Sequence, residues 1–71
     1  MRIAYDEQVD AAYVYLVEDG GPVAKTVPLD PREINGEINL DFDVDGRLIG
    51  IEVQDATRFL PPRLLREIGN S

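Results

Sequence analysis

The sequence predicts an α+β domain in which an antiparallel β-meander of about five strands carries one C-terminal helix. Two observations lead to this prediction. Residues 37–54 alternate between apolar and polar side chains on either side of an Asp-Gly pair, as the two strands of a hairpin do. Near the end of the chain, the apolar residues change to the spacing of a helix.

The first two strands are predicted over residues 2–6 and 11–18. Residues 2–6 alternate weakly, whereas the sequence AAYVYLV in the second segment is apolar and rich in β-prone side chains. Asp6 and Asp10 suit the turn between them, because an aspartate carboxylate accepts hydrogen bonds from nearby downstream amides. These features predict a β-hairpin.

The third strand is predicted over residues 22–29, after a turn at residues 18–22 that contains two glycines and a proline. Pro28 cannot donate a ladder hydrogen bond, so either this strand lies at an edge of the sheet or Pro28 lies at its end. Residues 31–36 are expected to form the next connection.

The fourth and fifth strands are predicted over residues 37–44 and 47–54, with Asp45-Gly46 as a two-residue type I′ turn. The predicted pairs are Val44 with Arg47, Phe42 with Ile49, Leu40 with Ile51, Ile38 with Val53, Asp43 with Leu48, Asp41 with Gly50, and Asn39 with Glu52. A slip of one residue would mix the apolar and polar faces, so the alternation itself specifies this register.

The C-terminal helix is predicted over residues 61–68, where Leu64, Leu65 and Ile68 recur at helical spacing. So short a helix is not stable alone in water, so we expect it to pack across one face of the sheet. The apolar stripe is therefore expected to be core, although a stripe of this kind can also bind a partner. The chain is predicted to be a single small domain, with a sheet core and a C-terminal tail; the ranges are 1–71 for the domain, 1–60 for the core and 61–71 for the helix and tail.

The composition excludes several kinds of chemistry. The 71 residues include no cysteine and no histidine, which excludes disulfides, zinc sites built from thiolates or imidazoles, and Ser-His-Asp or Cys-His catalysis. Ser71 is the only serine and Lys25 the only lysine, so serine nucleophiles and Schiff bases each have one poor candidate. We expect neither an enzyme nor a bound cofactor.

The chain is acidic, with fourteen acidic and seven basic residues and a net charge of -7. Direct nucleic-acid binding is not expected, because it requires a cluster of lysine and arginine. The first residues, MRIAYDEQ, lack the apolar segment of a signal peptide, and no apolar run is long enough to span a membrane. The protein is therefore predicted to be cytoplasmic and not to associate with membranes.

Self-association is also expected. A chain of this length builds only a small core, which oligomers or complexes commonly supplement. Residues 11–17 are apolar on both faces of their strand, and one short helix covers only part of one face. We therefore expect the other face to pair with a second copy, with a dimer favoured.

The most tempting motif is a calcium-loop string. The sequence from Asp41 to Glu52 matches D-x-D-x-D-G-x5-E, with Asp43 and Asp45 at the other acidic positions. In an EF-hand these side chains converge because two helices hold a curled loop, whereas here both flanks are predicted strands. We interpret the acids as the polar face of the hairpin and keep weak calcium binding at its tip as a remote alternative.

A second constellation combines two carboxylates with tyrosines: Asp6 and Asp10 with Tyr5, Tyr13 and Tyr15. Paired carboxylates can divide the acid and base roles of glycoside hydrolysis. A small sheet offers little concavity for a sugar, so we interpret the two aspartates as turn residues.

Three arginines, Arg58, Arg63 and Arg66, follow the predicted sheet. They can meet either an acidic partner or the acidic sheet of their own chain. The second interpretation is preferred.

The order of these motifs resembles a known family. The residues that carry the likeness are Tyr5-Asp6, Asp10, Tyr13, Leu40-Asp41-Phe42-Asp43, Asp45-Gly46-Arg47, Gly50-Ile51-Glu52 and Ala56. Over residues 1–60 the chain is similar to the YuzE-like bacterial domain of unknown function. The segment Gln54-Asp55-Ala56-Thr57 departs mildly from the relatives, which tend to have an aliphatic residue, Asp, Ala and Ser there. The resemblance brings no catalytic or binding residues with it.

The resemblance does imply a partner. Family members are similar in size and acidity to small antitoxins, and are often encoded beside small toxin-like proteins of a RelE-like kind. Such a toxin is basic because it meets RNA, and an acidic chain with an open sheet edge suits it in charge and by strand addition. The resemblance therefore predicts an antitoxin-like protein-binding module. The alternatives are a homodimeric structural or accessory domain without enzymatic activity, and the weak calcium module.

Overall fold

The computed structural model describes residues 1–18 and 21–69, which form one five-stranded antiparallel sheet and three short helices. The strands are β1 (Arg2–Asp6), β2 (Ala11–Tyr15), β3 (Lys25–Pro28), β4 (Ile38–Phe42) and β5 (Leu48–Gln54). The helices are α1 (Pro31–Ile34), α2 (Ala56–Phe59) and α3 (Pro62–Gly69). The predicted fold class, an antiparallel sheet with a C-terminal helix, is confirmed.

The strand order is β1-β2-β5-β4-β3, so the predicted meander order is wrong. After β2 the chain crosses the sheet to its far edge, and β2, β5, β4 and β3 lie in Greek-key order. Backbone hydrogen bonds hold both ends of this crossing, from Leu16 N to the Ile49 carbonyl at 3.1 Å and from Ala24 N to the Phe42 carbonyl at 2.9 Å. The physical reason is that the longer, more apolar β5 suits the centre of a sheet, whereas β3 is short and ends in Pro28, which suits an edge.

The crossing also shortens two strands. β2 ends at Tyr15 rather than at residue 18, and β3 begins at Lys25 rather than at residue 22, because the chain has to leave the sheet to change edges. The edge position predicted for β3 is confirmed. Within the predicted turn, residues 19 and 20 lie outside the described residues.

The connection over residues 31–36 contains a helical turn, α1, that the sequence pattern did not predict. Asp30 caps it, since its carboxylate accepts the Arg32 amide hydrogen at 2.9 Å. Asn35, with a φ of 50°, ends it in the left-handed conformation.

Four of the seven predicted β4–β5 pairs are present: Ile38 with Val53, Asn39 with Glu52, Leu40 with Ile51, and Asp41 with Gly50. Nearer the tip, Phe42 pairs with Leu48 instead of Ile49, and a register shift beside this pair restores the predicted register for the rest of the hairpin.

The predicted type I′ turn at Asp45-Gly46 is wrong, because the loop has three residues, 44–46. Asp43 Oδ1 accepts the amides of Asp45 and Arg47, each at 2.9 Å, and the Asp43 amide donates to the Arg47 carbonyl at 2.8 Å. Gly46, with a φ of 79°, takes the left-handed position that closes a loop of this length.

The core lies on one face of the sheet, here called the helix side. Its buried apolar residues are Ala12, Val53 and Ala56, and partly buried side chains pack around them: Ile3, Tyr5, Ile38, Ile51, Phe59 and Leu60. The end of β5 thus continues into a second unpredicted helical turn, α2, whose Ala56 is completely buried.

Helix α3 lies one residue later than predicted and packs against β1. Its apolar residues Leu64, Leu65 and Ile68 are half-buried, and their interpretation as core stays a prediction. No helix in residues 1–18 and 21–69 has the length and apolar character to cross a membrane.

Candidate functional site

The opposite face of the sheet, here called the open face, is polar. Alternation along the paired strands places every second side chain there. These residues are Arg2, Ala4, Asp6, Ala11, Tyr13, Tyr15, Thr26, Pro28, Asn39, Asp41, Gly50, Glu52 and Gln54. The apolar residues of α2 pack on the helix side instead.

A hydrogen-bonded bridge crosses the open face from β2 to β3. The Tyr13 hydroxyl donates to Asp41 Oδ2, and Thr26 Oγ1 donates to Asp41 Oδ1 at 2.6 Å. Asp41 is the buried acid of this face, only 8% exposed, and both of its oxygens accept hydrogen bonds. This Tyr-Asp-Thr bridge links β2, β4 and β3 through side chains, above the backbone ladder.

Gly50 makes the bridge possible. It lies on β5, paired with Tyr15 on one side and Asp41 on the other. A Cβ atom at this position would overlap the hydroxyl and the ring of Tyr13. Tyr13 therefore reaches Asp41 by lying across a backbone that carries no side chain, which is a recognised reason for glycine inside a strand.

An aromatic strip continues from the bridge toward β1. The rings of Tyr13 and Tyr15 are tilted, with centroids 4.6 Å apart, and the Arg2 guanidinium lies 4.0 Å from the centroid of the Tyr15 ring. A cation over an aromatic face is attracted by the negative charge of that face. Arg2 thereby holds the outer end of the strip.

Ionisation of Tyr13 should weaken the fold only at high pH. Burial, and then the hydrogen bond to Asp41, raise the pKa of Tyr13 from 10.0 to about 12. Because the folded pKa lies above the unfolded one, this stabilisation is complete below pH 10 and is lost as the pH rises to about 12. We expect the free energy of unfolding, measured with urea, to fall over this interval.

The matched variants are Tyr13→Phe and Tyr5→Phe. Tyr5 also has a raised pKa, mainly because its hydroxyl donates to Asp10, so it contributes a fall of the same sign. Tyr13→Phe should remove most of the decrease in the free energy of unfolding at high pH, and Tyr5→Phe should remove only a small part of it. An unchanged fall in Tyr13→Phe would contradict this assignment.

Acidic side chains gather at one end of the open face. Asn39 Nδ2 donates to Glu52 Oε1 at 2.8 Å and to Glu37 Oε2 at 3.1 Å, which holds the two carboxylates on either side of one amide. Glu37, Asn39 and Asp55 also line an open groove of about 670 Å³ at this end of the sheet. In the part of the chain that the structure describes, the only ion pair joins Arg32 to Asp30 at 3.0 Å, so the acids of the open face keep their charge uncompensated.

Asp10 ties the first hairpin to α2. Its Oδ1 accepts the Tyr5 hydroxyl at 2.9 Å and the Thr57 amide at 3.1 Å, and its Oδ2 accepts the Thr57 hydroxyl at 2.7 Å. The Ala56 amide donates to the Asp10 carbonyl at 2.9 Å. Asp55, the residue before α2, makes no side-chain cap, so Asp10 supplies the cap from a distant part of the chain. The hydrogen bonds, first that from the Thr57 hydroxyl, hold the pKa of Asp10 below its usual value.

The structure does not bring the five residues of the predicted carboxylate and tyrosine constellation together. Tyr5 and Asp10 meet on the helix side, whereas Tyr13 and Tyr15 lie on the open face. Asp6 accepts the Gln8 amide at 3.0 Å, in the turn where the sequence predicts it.

The four residues of the calcium alternative have separate roles. Asp41 belongs to the bridge, Asp43 organises the hairpin loop that contains Asp45, and Glu52 accepts from Asn39. Within residues 1–18 and 21–69, no three acidic side chains form a group that could hold a metal ion. Calcium binding stays a prediction without a converged set of ligands.

The predicted pairing of three C-terminal arginines with the acidic sheet is wrong. In the described ranges, the single ion pair involves none of Arg58, Arg63 and Arg66. Arg58 instead donates to the carbonyl of Asn35 and lies 4.1 Å from the centroid of the Phe59 ring.

Sequence reasoning missed Thr26 and Thr57 as partners of the two constrained aspartates. For Thr26 a signal existed, since a glycine interrupts an alternating strand opposite Asp41, and this signals a close approach from the side. For Thr57 the sequence contains no such signal, because Asp10 and Thr57 are far apart along the chain.

These features define a small α+β protein in which helices cover one side of the sheet and the other side is an acidic, side-chain-bridged surface. The family model described as "Protein of unknown function (DUF2283)" matches residues 2–56, and the chain belongs to this family. The matched segment contains all five strands and every residue of the bridge, whereas α3 follows it. Comparisons with curated proteins and with solved structures found no match. The narrower likeness to the YuzE-like domain stays a prediction.

Proposed function

We propose that this protein is a binding module whose open face binds a small basic protein. The observation that carries the proposal is the uncompensated acidic charge on a face that side-chain hydrogen bonds hold in place. Glu37, Glu52 and Asp55 lie on this face or line its groove, and among the described residues Arg2 is the one basic side chain that the strands place there.

The bridge prepares this surface for binding. Tyr13 and Asp41 have fixed positions before any partner arrives, so binding costs little side-chain entropy there. Tyrosine is enriched at protein interfaces because it presents a large apolar ring with a polar end. The Tyr13–Tyr15 pair therefore supplies apolar contact beside the acids.

The charge selects the partner. An acidic surface attracts basic proteins, accelerates their encounter and repels acidic competitors. The narrower form of the proposal, that the partner is a small toxin-like protein and this chain its antitoxin, comes from the family resemblance. We propose a role without catalysis, because the two most constrained aspartates, Asp41 and Asp10, use their oxygens to accept tyrosine and threonine hydroxyls.

The test is copurification with charge-reversed variants. The tagged chain is purified from its own cells in wild-type form, as Glu37→Lys/Glu52→Lys, and as the control Asp45→Lys/Glu67→Lys, and each eluate is measured by intact mass spectrometry. The control changes the net charge equally, at the exposed hairpin tip and on α3.

We expect one basic protein in stoichiometric amount with the wild type and the control, and at least a tenfold loss with the open-face variant. Equal retention by both variants would contradict the assigned surface, and a wild-type chain with no basic protein would contradict the proposed function.

A further inference from the structure

The two edges of the sheet differ in how well they are protected. β3 has four residues, begins with Lys25 and ends with Pro28, and a short strand with a charge and a proline resists the addition of another strand. β1 is the opposite edge, has five residues with neither proline nor glycine, and pairs with β2 along one side. β1 is thus the edge suited to accept a further strand.

We propose that β1 pairs with β1 of a second copy of this chain, antiparallel and across a twofold axis at Ala4, so that the two sheets become continuous. Position 2 of one chain then lies opposite position 6 of the other, and position 3 opposite position 5. Such an interface is isologous, so the same residues must complement each other across the axis. The sequence of β1, RIAYD, meets this condition at each position.

On the open face the match is one of charge. Arg2 of each chain lies opposite Asp6 of the second copy, and both side chains are exposed in the single chain. Directly opposed residues of antiparallel strands have Cβ atoms about 5 Å apart, which suits an arginine–carboxylate pair. Ala4 meets its own copy at the axis, where a small side chain allows the two strands to approach.

On the helix side the match is apolar. Ile3 lies opposite Tyr5 of the second copy, and both side chains are half-buried against the core of their own chain. A register shifted by two residues would place Arg2 opposite either the uncharged Gln8 or Ala4, and both charge pairs would be lost. The charge pairs therefore specify the register, and the apolar contact is compatible with it.

The small core of the single chain is a physical reason for such pairing to be stabilising. The apolar residues buried in the described part of the chain are two alanines and one valine, which is little for a domain of this size. Association commonly supplies the missing burial in small domains. The inference does not depend on the proposed function, because pairing at β1 leaves the open face uncovered and joins two copies of it.

The test is a charge exchange measured by sedimentation equilibrium at micromolar concentration. The wild type should be a dimer. Arg2→Asp places acid opposite acid across the axis and Asp6→Arg places base opposite base, so each variant alone should dissociate, with a dimerisation constant at least tenfold weaker.

An equimolar mixture of Arg2→Asp and Asp6→Arg should form a heterodimer, because each chain then meets the opposite charge at both positions. The double variant Arg2→Asp/Asp6→Arg should dimerise like the wild type. Circular dichroism of each variant serves as the control for folding. A monomeric wild type, or single variants that dimerise as strongly as the wild type, would overturn the proposal, as would a mixture that stays monomeric.

Cross-linking locates the axis independently, since the chain has no cysteine of its own. Ala4→Cys should form a disulfide-linked dimer under mild oxidation, because this residue faces its own copy. Lys25→Cys, on the protected edge, is the matched control and should remain largely unlinked. Faster linking by Lys25→Cys than by Ala4→Cys would overturn the assignment to β1.

Discussion

Replacing Gly50 with alanine should lower the free energy of unfolding by about 3 kcal/mol, the upper range for forcing an extra group into a packed site. In most strands this substitution is favourable, because alanine has less conformational freedom than glycine in the unfolded chain. Here the new Cβ would overlap the Tyr13 hydroxyl and ring, so either the bridge to Asp41 or the β4–β5 pairing must yield. Urea unfolding followed by circular dichroism measures the loss.

Gly46→Ala is the matched control for this prediction. Gly46 has a φ of 79°, and a Cβ atom added there would have no atom within 4 Å, so alanine costs only about 1 kcal/mol of backbone strain. The double variant Tyr13→Ala/Gly50→Ala should be more stable than the sum of its single effects, because the clash is gone. Equal losses at Gly50 and Gly46, or strict additivity of the double variant, would show that Tyr13 does not lie over Gly50.

Replacing Asp41 with alanine should cost about 3 kcal/mol. The substitution removes a buried carboxylate that accepts from the Tyr13 and Thr26 hydroxyls, and each hydrogen bond to a charged group contributes about 1.5 kcal/mol or more. Three strands lose their side-chain link at once. The measurement is again urea unfolding, at neutral pH.

The matched control is Asp41→Asn, which keeps the shape and both hydrogen-bonding positions. Hydroxyl groups can donate or accept, so Tyr13 and Thr26 can each adapt to an amide. We expect a loss of about 1 kcal/mol for asparagine. A loss as large as that of alanine would assign the effect to charge instead of to the bridge.

Much of the fold is local, and the sequence predicts that part. Alternation from Ile38 to Val53 specifies both the register and the faces of the β4–β5 hairpin, because a slip of one residue would expose the apolar side chains. Pro28 indicates the edge strand, and the spacing of Leu64 and Ile68 indicates α3. In each case the information lies within a few residues of the element.

The strand order and the bridge are not local. No pattern between Leu16 and Ala24 states that the chain crosses the sheet, since both a meander and a Greek key satisfy the same alternation. The hairpin tip differs because one side chain, Asp43, bonds two loop amides, an arrangement that a two-residue turn preference does not contain. The contacts of Asp10 with Thr57 likewise join residues that only the folded topology brings together.

The acidic residues are evident in the sequence, but their different structural roles are not. Asp41 and Glu52 belong to one calcium-like string, yet the fold uses the first within the bridge and leaves the second at the surface beside Asn39. Strand pairing decides this difference, because Asp41 lies opposite Gly50, where Tyr13 can reach it. The proposed binding face is therefore visible only once the register and the strand order are known.

Amide NMR spectra of the isotopically labelled chain, recorded before and after addition of the copurified basic protein, show whether the acidic open face is the binding surface. We expect chemical-shift changes concentrated on open-face residues of β2, β4 and β5, including Tyr13, Asn39 and Glu52, with α3 largely unchanged. Chemical-shift changes confined to α3 and the helix side, or no change after addition of a stoichiometric amount of the partner, would contradict the assignment of the open face as the binding surface.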